Sequence, residues 1–198
     1  MNKKFIILGF IVLSVSLFLM ASVHFLKQAT RNITLPTYGP VHDFRLMDVN
    51  GKVLQLTDLS NKVWIINFFF TTCSDICPTM TKNMAALQRS YKMLDDVAFV
   101  SVTVNPENDT SDALAKYAKV HQADTAQWHF LTGSREAITD LMVKSFKLQS
   151  LQDVAFHSSY FVLVDRKGQI RGYYDGTSTE EVQKLFRNIA VVLKEKHR

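Results

Sequence analysis

A chain of 198 residues has room for one domain and a short extension, and its 47% hydrophobic content suits a packed core with an apolar segment added. The net charge of +5 gathers at one end: Lys3, Lys4, Lys27 and Arg31 are four of the 23 basic residues, which leaves 19 against 18 acidic ones elsewhere. That remainder is close to neutral and has no basic stripe, so a nucleic-acid partner is excluded on electrostatic grounds.

Phe5 to Leu26 is a run of 22 residues without Lys, Arg, Asp or Glu. As a helix it would extend roughly 33 Å, about the hydrocarbon thickness of a bilayer. Lys3 and Lys4 before it favour a cytoplasmic N-terminus, although Lys27 and Arg31 follow it. A cleaved signal peptide is the competing reading. Its apolar region is usually shorter, about 7–15 residues, and Ala21-Ser22-Val23 is a poor cleavage site. The reading is therefore one transmembrane helix within a membrane anchor over 1–31 and a polar linker with Pro36 and Pro40 over 32–40. A globular domain follows over 41–198, on the extracytoplasmic side of the cell membrane.

Phe44–Met47 and Lys52–Leu56 flank Asn50-Gly51, a hairpin turn signal. Val63 to Phe70 is continuously apolar and rich in β-branched and aromatic residues, which predicts a fully buried strand. Two threonines lead to Cys73, and Cys77 is followed at once by Pro78, a residue suited to the first turn of a helix. Met80, Met84, Leu87, Tyr91 and Leu94 then recur at helical spacing. Val97–Val104 reads as a second buried strand, parallel to the first, and Leu114, Tyr117, Ala118 and His121 as the face of another helix. Trp128–Leu131 is a short strand, Ser134 a helix cap, and Ile138, Leu141, Met142 and Phe146 that helix's apolar face. Residues 147–156 read as irregular.

Ser159–Val164 and Gln169–Tyr174 form a hairpin about Asp165-Arg166-Lys167-Gly168. Thr179 is expected to cap a last helix with acidic residues at its start and basic ones at its end, as the helix dipole favours. The order of elements predicts an α/β thioredoxin-like fold with an added N-terminal hairpin, helices covering both faces of a mixed sheet.

The chain's two cysteines thus sit where a buried strand gives way to a helix. A close pair staples little and reads as redox-active or metal-binding, against the plainer alternative of two unrelated buried cysteines. A helix N-terminus favours thiolate over thiol. Two soft thiolates select soft or borderline metals, copper prominent among them, and the same pair could instead cycle between dithiol and disulfide. A spacing of two residues would point to a thioredoxin-type redox motif. The third intervening residue shifts the balance toward metal without excluding the disulfide.

The stretch Phe-Phe-Phe-Thr-Thr-Cys-Ser-Asp-Ile-Cys-Pro, residues 68–78, resembles the Sco/SenC family of copper-binding proteins, which assist assembly of cytochrome c oxidase. The block from His157 to Gly168, His-Ser-Ser-Tyr-Phe-Val-Leu-Val-Asp-Arg-Lys-Gly, resembles it as well, and the likeness extends over residues 40–195. It implies a copper site of Cys73, Cys77 and His157. It also implies that the partner is the copper-receiving subunit of cytochrome c oxidase, while the proximity of the sulfurs marks Cys73 and Cys77 as the candidate redox disulfide pair. Redox thioredoxins place a cis-proline where His157 would lie, and this chain has proline only at 36, 40, 78 and 106.

One departure is visible. Asn105 stands where relatives commonly carry Asp, which leaves Asp109 either to take its place or to cap the next helix. Asp75 reads as solvated and Met80 as core. His24, His42, His121, His129 and His197 are assigned ordinary surface, core or anchor roles. Three functions follow as expectations: a membrane-tethered copper chaperone rather than an enzyme, a thiol–disulfide oxidoreductase reducing cysteines of a partner protein, or a copper- or redox-sensing membrane protein with no transfer role.

Overall fold

The computed structural model describes residue 13 and residues 15–22, 34–148 and 159–195. The chain divides into two units, Met1–Thr34 and Leu35–Arg198. In the first, residues 15–22 are helical and their apolar side chains are exposed, Phe18 at 73%. Among the described residues no helix is long and apolar enough to cross a membrane. Most of the expected anchor, Phe5–Leu26, lies outside them, as does His157.

The second unit is built on an eight-stranded sheet. Its strands are β1 (Gly39–Pro40), β2 (Arg45–Asp48), β3 (Val53–Gln55), β4 (Val63–Phe69), β5 (Val97–Thr103), β6 (Trp128–Thr132), β7 (Tyr160–Val164) and β8 (Gln169–Asp175). They lie in the order β1-β8-β7-β4-β5-β6-β2-β3. The centre, β4-β5-β6, is parallel, and β7 joins β4 antiparallel with Trp64 opposite Val164. The helices are α1 (Cys77–Tyr91), α2 (Ser111–Val120), α3 (Arg135–Asp140) and α4 (Thr179–Lys194). α3 widens into a π-helical turn over Leu141–Ser145.

Strand periodicity explains why β4 is apolar throughout. Val63, Ile65 and Phe69 face one core with Met80 and Met84 of α1, Leu114 of α2 and Leu185 and Ile189 of α4. Trp64, Ile66 and Phe68 face a second core with Ile138 of α3, Met142, Phe146 and Leu46 of β2. Both faces of the strand are covered, so every position must be dry. The polar exception, Asn67, accepts a hydrogen bond from Ser101 Oγ at 2.6 Å on the neighbouring strand, and Ser101 Oγ accepts from Trp128 Nε1 at 2.9 Å. This is the thioredoxin-like mixed α/β fold that the order of elements predicts. The added hairpin is present as β2 and β3, turning through Gly51 at a φ of 74°.

Three boundaries differ from expectation. Residues 35–40 are not a free linker: Tyr38 N–H bonds Ile170 O at 2.9 Å and Gly39–Pro40 pair with β8, which covers an edge otherwise open to misassociation. Ser178, not Thr179, caps α4, because its hydroxyl oxygen accepts from Glu181 N–H. α1 ends at Tyr91, so Leu94 falls in the following turn, 40% exposed, rather than on the helix's buried face.

Candidate functional site

At the end of β4, Phe69 O accepts from Val104 N–H at 2.8 Å, which keeps β4 and β5 together to the last residue. The chain then makes a turn closed by Cys73 N–H to Phe70 O at 3.2 Å, and α1 begins at Cys77 with Pro78 in its first turn. The turn and the helix start bring the two cysteines together. Both are free thiols, and each lies within electrostatic reach of the other. Cys73 is half-buried and Cys77 is only 1% exposed, packed with Met80 and Phe69.

That burial overturns the expectation that the helix start would favour a Cys77 thiolate. Burial pushes the Cys77 thiol up to about 12. Burial is the largest cause; the interaction with the Cys73 thiol and the Cys73 and Asp75 charges act in the same direction, and a backbone hydrogen bond at Phe70 opposes them. A helix dipole contributes about 0.3–1 kcal/mol, less than burying an unpaired charge costs. The free pair is thus one accessible sulfur above a buried, protonated one. Any ion that takes both sulfurs must displace the Cys77 proton, so binding releases acid.

Two buried neighbours stand near the cysteines, one read in the sequence only as core and the other only as a cap or a stand-in for the Asp that Asn105 replaces. Tyr117, read there only as part of an apolar face, lays its ring against Phe69 with centroids 5.1 Å apart and shares a 2.7 Å hydrogen bond with Thr81 of α1. Burial pushes its phenol up to about 12; the Thr81 hydrogen bond opposes this, and the Cys77, Cys73 and Asp109 charges add to it. Asp109 is fully buried. It accepts from Thr71 N–H at 3.0 Å and from the hydroxyls of Thr71 and Thr103. It does not cap α2; Thr110 does, accepting from Ala113 N–H. Asn105 turns its side-chain oxygen to Asn108 Nδ2 at 3.0 Å.

Asp75 is exposed and Met80 buried, as expected. Among the other histidines, His42 lies by Ser145, His121 lies tilted against Tyr117 with centroids 4.4 Å apart, and burial lowers the pKa of His129. His24 and His197 lie outside the described residues. Within the described residues no group of three or more His, Cys, Asp or Glu could hold a metal ion. The start of β7 is nevertheless tied to the cysteine helix: Gly176 N–H donates to Ser159 O at 2.6 Å, and Gly176 O accepts from Asn83 Nδ2 of α1 at 2.7 Å. A side chain at Gly176 would meet Met80 Cε and Phe161 Cζ at 3.0 Å, so glycine permits this close approach.

Residues 36–194 match the family model of SCO1/SenC. The SCO1 protein homolog of Bacillus subtilis is 33% identical over 160 residues, covering 78% of this chain and 83% of the relative. The structure of BsSco superposes with a TM-score of 0.71 at 31% identity, covering 82% of this chain and 99% of that one. BsSco is a member of the Sco family of cytochrome c oxidase assembly proteins in which a disulfide switch is identified. ScoI of Bradyrhizobium japonicum, solved with copper bound, superposes with a TM-score of 0.61 at 25% identity over 76% of this chain and 99% of that one.

Proposed function

The chain belongs to the SCO1/SenC family, and from that premise we propose that it is a membrane-tethered copper chaperone. It holds one copper ion as cargo through Cys73, Cys77 and His157 and passes it to the copper-receiving subunit of cytochrome c oxidase, at the binuclear centre. The observation that carries this reading is the close pair of free thiols at the start of α1, one half-buried and one buried. Two convergent soft sulfurs suit copper(I). The accessible Cys73 is the sulfur that an incoming ion or a receiving ligand meets first, and the buried Cys77 holds the ion against water. His157 supplies a nitrogen from just before Ser159, a residue two hydrogen bonds removed from α1. The copper-bound ScoI of B. japonicum supports the choice of metal, and the assembly role of BsSco supports the target.

The tether is Phe5–Leu26, with the domain on the extracytoplasmic side of the cell membrane. The apolar length of that run, the lysines before it and the exposed apolar side chains over 15–22 support this placement. Protease added to intact spheroplasts removes the domain if the orientation is as stated, and full protection reverses it.

The second reading, a thiol–disulfide oxidoreductase reducing cysteines of a partner protein, draws support from the same two free thiols, close enough to interact electrostatically, and from the disulfide switch of BsSco. His157→Ala separates the two. Copper(I), satisfied by two thiolates, is expected to bind still. Copper(II), which prefers more ligands with nitrogen among them, is expected to lose most of its affinity and its intense thiolate absorption, while the disulfide still forms. If optical titration shows the variant binding copper(II) as wild type does, the three-ligand site is wrong. A wild type that binds no copper but reduces protein disulfides catalytically establishes the oxidoreductase instead.

A further inference from the structure

We propose that Asp109 is a positioning residue for the cysteine pair: it fixes Thr71, and with it the turn that presents Cys73 to Cys77. The inference rests on Cys73 and Cys77 being the working pair, whichever chemistry they perform.

The carboxylate is fully buried, and among the described residues no cation is paired with it. A buried charge without a counter-ion is a poor way to gain stability and persists only where its hydrogen bonds are complete. Two of the three bonds lead to one residue, Thr71, and the third to Thr103. One oxygen accepts from Thr71 N–H and Thr103 Oγ1, and the other from Thr71 Oγ1, so Thr71 is gripped twice. Thr71 lies inside the turn that Cys73 N–H closes on Phe70 O.

The grip is anchored on firm ground. Asp109 N–H donates to Asn105 O at 2.9 Å, Thr103 Oγ1 also accepts from Asn105 N–H at 3.0 Å, and Thr110 next to it caps α2. The cysteine turn, strung between β4 and α1, is thereby referred to the end of β5 and the start of α2. Asn105, the neutral residue of this segment, turns to Asn108. The carboxylate of the segment acts on the cysteines through Thr71.

Pre-organised thiols close a disulfide more readily than loosely held ones. The test is the equilibrium of the Cys73–Cys77 dithiol with the dithiothreitol couple, two electrons and two protons passing to oxidised dithiothreitol, on the full-length protein in detergent. The rate of Cys73 alkylation by iodoacetamide and the thermal midpoint are read beside it. Asp109→Ala is expected to shift the exchange constant toward the dithiol by about tenfold, about 30 mV, and to speed alkylation. Thr71→Val, which keeps the carboxylate and the backbone bond but loses one hydroxyl, is expected to shift it about threefold in the same direction, on the scale of a single hydrogen bond. Asp109→Asn keeps the shape and removes the charge, and is expected to recover more than half of the loss on a logarithmic scale.

If the alanine and valine variants lower the thermal midpoint but leave the exchange constant within about twofold of wild type, the network is only structural and the proposal falls. It falls also if asparagine shifts the constant as far as alanine, because charge and not position is then responsible. Should Asp109→Ala not fold, Thr71→Val decides alone. Copper uptake is not part of this measurement, so a wild type that binds no copper defeats the chaperone reading and leaves this one standing.

Discussion

Arg171 and Asp109 are both buried, and each ties together segments distant in sequence. The Arg171 guanidinium meets both carboxylate oxygens of Glu195, Asp165 Oδ2 at 3.0 Å, Leu35 O at 2.8 Å and Pro36 O at 3.1 Å. Its pKa is raised, first by the Glu195 hydrogen bonds and then by Asp165, against the effect of burial. Two anions and two carbonyls therefore surround one cation, and they join the start of the domain to the end of α4. Asp109 instead has only hydroxyls and an N–H. Opposite charges around a buried ion make a staple; neutral donors around a buried ion set geometry more than they add stability. The first belongs to the fold and the second to the site.

The largest expected effect breaks the staple. Arg171→Ala leaves Glu195 and Asp165 without their cation and frees residues 35–36, at a cost of about 3–5 kcal/mol. For a domain of this size that lowers the thermal midpoint by roughly 10 °C. The disulfide exchange constant is expected to stay where it is. A variant that melts with wild type, or whose thiol equilibrium moves, would erase the contrast between the two buried charges.

The next effect is in pH. The folded-state value for Cys77 lies above the ordinary thiol value of 9.0, at about 12. The stability contributed by its protonated form is therefore complete below about pH 9 and is lost as pH rises from there through about 12. Urea midpoints of the reduced protein are expected to fall across that window more steeply than those of Cys77→Ser, which has no thiol to ionise at that position. Identical slopes would show that Cys77 is not held protonated by the fold. In the same reduced protein, iodoacetamide at pH 8 is expected to label half-buried Cys73 before buried Cys77, as mass spectrometry of the peptides would show.

The order of these effects parallels what could be read beforehand. β4, α1 and the hairpin at Asn50-Gly51 are legible because their signals are local: an apolar run, a helical spacing, a turn dipeptide. The meeting of Cys73 and Cys77 is legible for the same reason, since one turn and one helix start suffice. The protonation of Cys77 is not, because it depends on burial in a core that also draws on α2, β6, β7 and α4. Nor is the role of Asp109, whose partner Thr71 is 38 residues away, or the packing of residues 35–40 onto β8, where a proline-bearing polar stretch looks like any linker. The cap of α4 was missed by one position because adjacent Ser178 and Thr179 are both good caps. His157 carries no local signal beyond its place before a strand, and its part in the site rests on the family's pattern.

The smallest effect tests whether every buried group beside the cysteines belongs to the site, and it concerns Tyr117. Its ring packs on Phe69 and Phe130, and its hydroxyl shares a hydrogen bond with buried Thr81. It therefore joins α2 to α1 within reach of the cysteine charges, its hydroxyl bonded to Thr81 of α1. Tyr117→Phe keeps the ring and leaves the Thr81 hydroxyl without this partner, a loss of about 1 kcal/mol. The midpoint of unfolding is expected to fall by that small amount while the exchange constant stays within about twofold of wild type. Tyr117 then resembles Arg171 in kind, though not in size: a contact between elements that happens to lie near the sulfurs. A shift in the exchange constant as large as that of Asp109→Ala would instead make the phenol part of the cysteines' support. The line between fold and site would then have to be drawn around α2 as well as around the turn.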